Sequence, residues 1–381
     1  MDSLFNDYPE LLRPHEPPCL SLYQPTHRHH PENEQDAIRF RNLTKAIEER
    51  VRQQYSTREI GPLLDPFYAL ADDHDFWNHA LDGLAVLSAP GFLRCYRLQR
   101  PVKELAIVAD SFHTKPLLRT IQSADRYQIL ALSRKEIKLF EGNRDAVDEV
   151  ALDARVPQTI TDALGDELTD AHLAVASRAT GAGRTPVRQG MGTKSDEVDV
   201  DAERFFRVVD RAVLEHHSRT SGLPLILAAL PEHHALFRRV SSNPFLAPEG
   251  IDVHPDALTG DSLRERAWQV VAPRYLQRLQ GLVETFSAAQ ARGAAGEDLA
   301  QVAEAATAGR IATLLIDADC QVRGRFDAAS GRIEAVTDDD PFVDDVLDDL
   351  GEQVLKTGGE VVIVPAERMP VATGVAAIYR Y

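Results

Sequence analysis

Short apolar runs alternate with longer amphipathic ones along this chain, and their order predicts its elements. Cys19–Gln24 alternates between prolines and reads as a strand, and in the charged stretch after it Ile38, Leu43, Ile47 and Val51 recur at helical spacing. Gly83–Ala89, Phe92–Leu98 and Glu104–Asp110 read as strands, the first two joined across the turn dipeptide Pro90-Gly91. From Arg126 a three-stranded meander is expected, with two runs rich in Ile, Leu and Phe flanking Arg134-Lys135 and a third run after Gly142-Asn143. Then come a helix over Asp201–His217, with Phe205, Val208, Val209, Ala212 and Val213 on one face, a buried strand over Pro224–Leu230, and a helix opened by Pro231. Leu263–Arg292 predicts a long, largely polar helix broken by Gly293–Gly296. Beyond the break the pattern predicts a helix (Glu297–Thr307), a strand (Arg310–Asp317), a strand ending at Asp327, an acidic helix (Asp340–Lys356), a strand (Gly359–Pro365) and a last strand (Gly374–Tyr381). Gly358-Gly359 supplies the stop signal for the acidic helix. The class is mixed α/β (α+β), divided into 1–125, 126–262 and 263–381.

Composition narrows the class. With 381 residues, 44% hydrophobic and 27% charged, the chain suits a folded protein of several domains. It contains no apolar run of membrane-spanning length, and its first residues have neither a basic start nor an apolar core, so a cytoplasmic protein with no membrane partner is expected. Cys19, Cys95 and Cys320 are far apart and odd in number, which predicts reduced thiols rather than a disulfide framework or a thiolate zinc site. The net charge is −17, and residues 276–381, with 9 basic and 18 acidic side chains, would repel a polyanion and suit a protein partner. Any nucleic-acid contact must therefore be a local patch.

One such patch stands out. Ala171–Ser195 contains no acidic residue but holds Arg178, Arg184, Arg188 and Lys194 with Gly181, Gly183, Gly190 and Gly192. Glycine permits close backbone approach, and clustered cations favour phosphate. The run is not a Walker A motif, because Thr193 separates Gly192 from Lys194, and it is not a dinucleotide fingerprint, because Ser195 stands where a third glycine would be. What it offers is a cationic segment opening into a helix, suited to an RNA backbone, against the alternative of a plain surface loop. Elsewhere, His27, His29 and His30 share a loop, and His216-His217 and His233-His234 are adjacent pairs whose side chains diverge on a helix, so no metal site is expected. No nucleophile elbow or catalytic cysteine context is present, and Trp77 and Trp268 read as packing residues. Arg94 and Arg97 alternate with apolar residues on a strand, as on a half-exposed sheet.

Several segments together resemble the bacterial branch of the archaeal and eukaryotic class I release factor superfamily, which includes Pelota-type rescue factors, and specifically bacterial archaeo-eukaryotic release factor family 3. They are Ser21–Arg28, Asp36–Leu43, Phe76–Leu98, Phe112–Leu118, Tyr127–Gly142, Asp201–Val213 and the terminal AAIYRY. The resemblance implies three α/β domains: an amino-terminal one, a central ribonuclease-H-like one, and a carboxy-terminal α/β sandwich similar to one in ribosomal proteins. It also implies a loop of the central domain that, in release factors, carries Gly-Gly-Gln into the peptidyl transferase centre. The corresponding stretch here is Arg188-Gln189-Gly190-Met191-Gly192-Thr193-Lys194, which lacks that motif. Gly190 and Gly192 retain flexibility, Met191 adds bulk, and Thr193 or Lys194 stands where the water-positioning glutamine would be. The implied function is a translation factor that binds the ribosome or a tRNA acceptor end through Arg178, Arg184, Arg188, Gln189, Gly190, Gly192 and Lys194, without a cofactor. Efficient peptidyl-tRNA hydrolysis, or a protein-interaction or stress role on the same scaffold, are the alternatives, and no catalytic residue is assigned.

Overall fold

Two stretches of the amino-terminal third are mostly apolar, and both become interior strands buried along almost their whole length. The computed structural model describes residues 4–122, 125–165, 192–334 and 344–381. After helix α1 (Leu4–Leu11) come strand β1 (Cys19–Pro25), helices α2 (Asp36–Val51), α3 (Thr57–Ala71) and α4 (His74–Asn78), strands β2 (Gly83–Ala89), β3 (Phe92–Leu98) and β4 (Leu105–Ala109), and helix α5 (Lys115–Gln122). The strands form an antiparallel sheet in the order β3-β2-β1-β4. Period-two alternation divides their side chains between two cores. Leu20, Leu22, Leu84, Val86 and Val108 pack against Phe40 and Ile47 of α2 and Leu63, Leu64 and Phe67 of α3. Cys19, Tyr23, Ala85 and Leu87 face the other way. A sheet covered on both faces needs no polar side, which is why β1 and β2 are mostly apolar and why their few polar side chains, Ser21, Gln24 and Ser88, are buried.

The middle of the chain supplies strands β5 (Tyr127–Leu132), β6 (Ile137–Gly142) and β7 (Val147–Val150), helices α6 (Ile160–Leu164) and α7 (Gly192–Val213), a π-helical turn over Leu214–Ser218, helix α8 (Arg219–Ser221), strand β8 (Leu225–Ala228) and helix α9 (Pro231–Val240). The sheet order is β7-β6-β5-β8, with β5 antiparallel to β6 and parallel to β8. On one face Leu130, Leu139, Leu225 and Leu227 meet Phe205, Phe206, Val209 and Val213 of α7 and Phe237 of α9. On the other, Tyr127, Ile129, Ile226 and Ala228 meet Leu263, Ala267 and Val271, from the first half of helix α10 (Gly260–Gln290). The meander and the helix–strand–helix order agree with the pattern, except that α7 begins at Gly192 rather than Asp201.

The remainder is β9 (Ala295–Gly296), α11 (Leu299–Thr307), β10 (Ile311–Asp317), β11 (Arg323–Asp327), β12 (Arg332–Glu334), β13 (Asp344–Asp345), α12 (Val346–Lys356), β14 (Glu360–Val364) and β15 (Val375–Tyr379). A mixed sheet runs β14-β10-β15-β9, with β10 parallel to β14 and antiparallel to β15, and a small sheet runs β12-β11-β13. The acidic helix starts at Val346 instead of Asp340, because the Asp345 side chain accepts from the Leu347 N–H at 3.1 Å and caps it there. It stops at Gly358, whose φ is 77°, while the Gly359 N–H donates to the Val354 carbonyl at 2.8 Å.

By contacts the chain forms two units: Met1–Ala124 together with Arg274–Tyr381, and Asp125–Pro273. The first is built from both ends of the sequence. Tyr23, Leu87, Leu117 and Phe112 share one core with Ala303, Leu314, Ile316, Leu350 and Val361. Polar links reinforce it. Asp348 of α12 accepts from the Thr114 N–H at 2.9 Å and from the Lys115 N–H, capping α5, while Lys115 Nζ donates to the Cys320 carbonyl at 2.6 Å and pairs with Asp345.

Candidate functional site

The cationic run singled out from the sequence lies mostly outside the described residues: Arg178, Arg184, Arg188, Gln189, Gly190 and Met191 all fall within 166–191. Gly192, Thr193 and Lys194 form the first turn of α7. The elements on either side of the run are anchored in one place. Leu164, at the end of α6, and Phe205 and Phe206 of α7 belong to the same hydrophobic core. Thr159 and Asp162 close a capping box at the start of α6, the Asp162 N–H donating to the Thr159 hydroxyl at 3.1 Å and the Thr159 N–H to the Asp162 carboxylate at 2.9 Å.

β5 and β8 are parallel neighbours, and the carboxyl ends of such strands are where open α/β sheets place their ligands. Arg134 follows β5, and His233 follows β8 in the first turn of α9. Arg134 pairs with Asp199 of α7 at 3.3 Å and donates through Nε to His233 Nε2 at 3.1 Å. An imidazole that accepts at Nε2 is neutral and carries its proton on Nδ1. That Nδ1 is buried, with no hydrogen-bond partner among the described residues. The ring stands edge-on to Phe206 at 5.7 Å, and burial first, then Arg134, holds its pKa below the ordinary histidine value. Ser133, beside Arg134, is occupied: its hydroxyl donates to the Glu136 carbonyl at 3.1 Å and accepts the Glu136 N–H at 3.0 Å. The edge thus presents one shared guanidinium and an exposed carboxylate on α7, while the neutral imidazole keeps its N–H buried. Such a set can orient an oxygen acceptor and hold α7 in place, but it contains no activated nucleophile.

Residues 126–310 match bacterial archaeo-eukaryotic release factor family 3. The matched segment contains the whole edge just described together with the cationic run. Among solved structures, the chain is similar to the archaeal translation termination factor aRF1 at 16% identity, covering 99% of this chain and 97% of that one with a TM-score of 0.27. It is similar to archaeal Pelota, described as ribosome-bound with ABCE1, at 14% identity, covering 76% and 72% with a TM-score of 0.41. A third is S. cerevisiae Dom34, described as a translation termination-like factor involved in RNA quality control pathways and interacting with Hbs1, at 12% identity, covering 82% and 78% with a TM-score of 0.37. Superpositions this loose transfer no residue roles. No curated protein matches the chain.

Other candidates from the sequence have structural partners. The His27 N–H and Nδ1 meet the two carboxylate oxygens of buried Asp36 at 2.7 and 2.9 Å, and Arg28 makes a fork with Asp82, its closest contact at 2.6 Å. His30 pairs with Glu34 at 3.3 Å. His234 lies against the Ile251 carbonyl at 3.1 Å, and the Asp153 N–H donates to His217 Nε2 at 3.3 Å. Arg94 pairs with Glu10 at 2.8 Å and Arg97 lies over the Phe76 ring at 4.5 Å. Trp77 is buried in the α2–α3 core, and Trp268, on α10, packs partly buried against the core that this helix covers. Among the described residues no group of three or more His, Cys, Asp or Glu could hold a metal ion, and no helix is long and apolar enough to cross a membrane.

The pair the sequence reading overlooked is Arg134 and His233. Arg134 reads as a hairpin turn and His233 as half of a divergent pair. The available signal was that each lies a few residues beyond an apolar strand. It becomes informative only once β5 and β8 are known to be parallel neighbours.

Proposed function

We propose that this chain is a release-factor-like translation factor of the cytoplasm that binds the ribosome or the acceptor end of a tRNA, in rescue, hibernation or regulation, without efficient hydrolysis of peptidyl-tRNA. The observation that carries the reading is the family match over 126–310, within which Ala171–Ser195 holds four cations and no acid. Arg178, Arg184, Arg188 and Lys194 are the phosphate contacts, Gln189 is a further RNA contact, and Gly190 and Gly192 allow close backbone approach. The stretch Gly190-Met191-Gly192-Thr193-Lys194 has no glutamine after its glycines, which removes the side chain that would place water and separates binding from hydrolysis. The reading includes a division into 1–125, 126–262 and 263–381, with a ribonuclease-H-like middle.

Four phosphate contacts to single-stranded RNA contribute a slope of about −3 in log K against log salt, so raising salt fourfold weakens binding roughly 50-fold. Cosedimentation with 70S ribosomes at two salt concentrations tests this. Wild type should bind at low salt and be lost at high salt, and replacing all four cations by alanine should abolish most low-salt binding. Absence of binding at low salt, or binding that ignores the replacements, refutes the proposal. Peptide release from stalled complexes should not exceed spontaneous hydrolysis, and release well above it would make the chain a hydrolase.

The acidic residues 276–381 favour a second reading, in which the scaffold serves a protein partner. Part of that acidity is spent internally, since Asp345, Asp348 and Glu352 are buried and engaged with Lys115, the start of α5 and Lys356. A pull-down with and without nuclease separates the readings: ribosomal RNA in the nuclease-free sample supports the first, and a protein with no RNA the second.

A further inference from the structure

A cavity of about 280 Å³ lies wholly within the unit formed by the two ends of the chain, close to the lower end of the range that holds small organic ligands. Four cations line it: Arg100, Lys103, Lys115 and Arg119. Lys115 is committed to the Cys320 carbonyl and Asp345, and Lys103 pairs with Asp319 of the lining at 2.9 Å. Arg119, half-buried on α5, makes no hydrogen bond or salt bridge with any described residue. A guanidinium that has given up part of its hydration and has no acceptor among the described residues suits an external anion, and its planar fork matches a phosphate. The amino terminus of α5 does not compete for that role, because Asp348 already accepts its N–H groups. The rest of the wall includes apolar Val102, Leu105, Pro116 and Ile363.

We propose that this cavity binds a nucleoside monophosphate. The phosphate meets Arg119 and Lys103, the base lies against Val102, Pro116 and Ile363, and a ribose hydroxyl donates to Asp319. Each feature of the lining selects against a simpler ligand. Inorganic phosphate leaves the apolar wall uncovered, and a fatty carboxylate has no hydroxyl to share Asp319 with Lys103. The hydrogen bond from Lys103, with Arg119 and Lys115 nearby, holds the Asp319 carboxyl below its ordinary pKa, so an ionised acceptor is present throughout the physiological range. The inference does not rest on the release-factor reading, because its residues lie in the other unit from the cationic run.

Titration calorimetry on the full chain at low salt tests it, with AMP, CMP, GMP, UMP, the parent nucleosides and inorganic phosphate as probes. At least one nucleoside monophosphate should bind once per chain with Kd below about 1 mM, and its nucleoside and phosphate alone should bind at least about tenfold more weakly. Arg119→Ala should lower affinity about tenfold or more, and Arg119→Lys should restore part of it. Lys103→Ala should lower it severalfold; this side chain is 68% exposed, so the substitution leaves the fold intact even if Arg119→Ala does not fold. No saturable binding, or unchanged affinity in the folded variants, overturns the proposal. So does binding of a short oligonucleotide with no binding of any mononucleotide, which would mark a strand-binding surface instead.

Discussion

Asp348 is the side chain that ties α12 to α5, and replacing it by alanine should loosen the unit made from the two chain ends. The residue is 3% exposed. It accepts from the Thr114 N–H at 2.9 Å, from the Lys115 N–H, and from the Thr114 hydroxyl at 3.4 Å. Each buried donor left unpaired costs about 1–3 kcal/mol, so the two main-chain groups alone set a range of about 2–6 kcal/mol. Partial relief comes from the same helix, where Asp345 and Glu352 lie one turn to either side, both buried, and lose a like-charged neighbour worth a few tenths of a kcal/mol each. The expected net loss is about 3 kcal/mol, or about 6–12 °C in Tm for a unit of this size. Asp348→Asn keeps the shape and one carbonyl acceptor and should cost about half as much. The tryptophans provide the assay, because Trp77 belongs to this unit and Trp268 to the other. In a Trp268→Phe background, Trp77 fluorescence should show the urea midpoint falling by about 1 M in Asp348→Ala. A midpoint that moves by less than about 0.2 M would mean that Asp348 does not secure α5.

Two further expectations concern the Asp125–Pro273 unit. His233 and His217 both have pKa values lowered mainly by burial. Folded pKa values below the unfolded one mean that their contribution is complete above about pH 6.5 and is lost as pH falls below it, because the unfolded chain then takes up the protons first. Urea midpoints from Trp268 fluorescence should fall between pH 7 and pH 5.5, and His233→Gln should flatten part of that slope; an unchanged slope would show that His233, with Arg134, Asp199, Glu232 and His254 around it, is not a titrating element of stability. Gly250→Ala places a methyl 2.4 Å from His234 Cε1 and 2.7 Å from the Leu227 carbonyl oxygen. It should cost about 1–3 kcal/mol by the same assay, and a neutral result would show that the Leu227–Ile251 edge yields freely.

How much was legible in the sequence follows from the range of the forces involved. β1, β2, β5 and β8 could be read because each is a short apolar run closed by a turn, and α2, α7 and α9 because their apolar positions repeat. α3 was not found. Ser56 and Glu59 form a capping box at its start, with the Ser56 N–H donating to Glu59 at 2.8 Å, but Gly61, Pro62 and Pro66 interrupt the helical pattern, and the helix depends on burying Leu63, Leu64 and Phe67 against the sheet. The cationic run was legible as a charge anomaly, whereas Arg134 and His233 were not, because their juxtaposition is a product of parallel pairing between strands nearly a hundred residues apart. The acidic helix makes the same point most sharply. Asp345, Asp348, Asp349 and Glu352 recur every three or four residues, a spacing that reads as a solvated face. Three of the four are buried. Their positive partners are Lys115, the amino-terminal N–H groups of α5 and Lys356, and only the last lies within one helical turn. A charge pattern reports exposure only when its partners are local. Here the neutralising groups come from the opposite end of the chain, so the same carboxylates that suggest a repelling surface instead hold the two ends together.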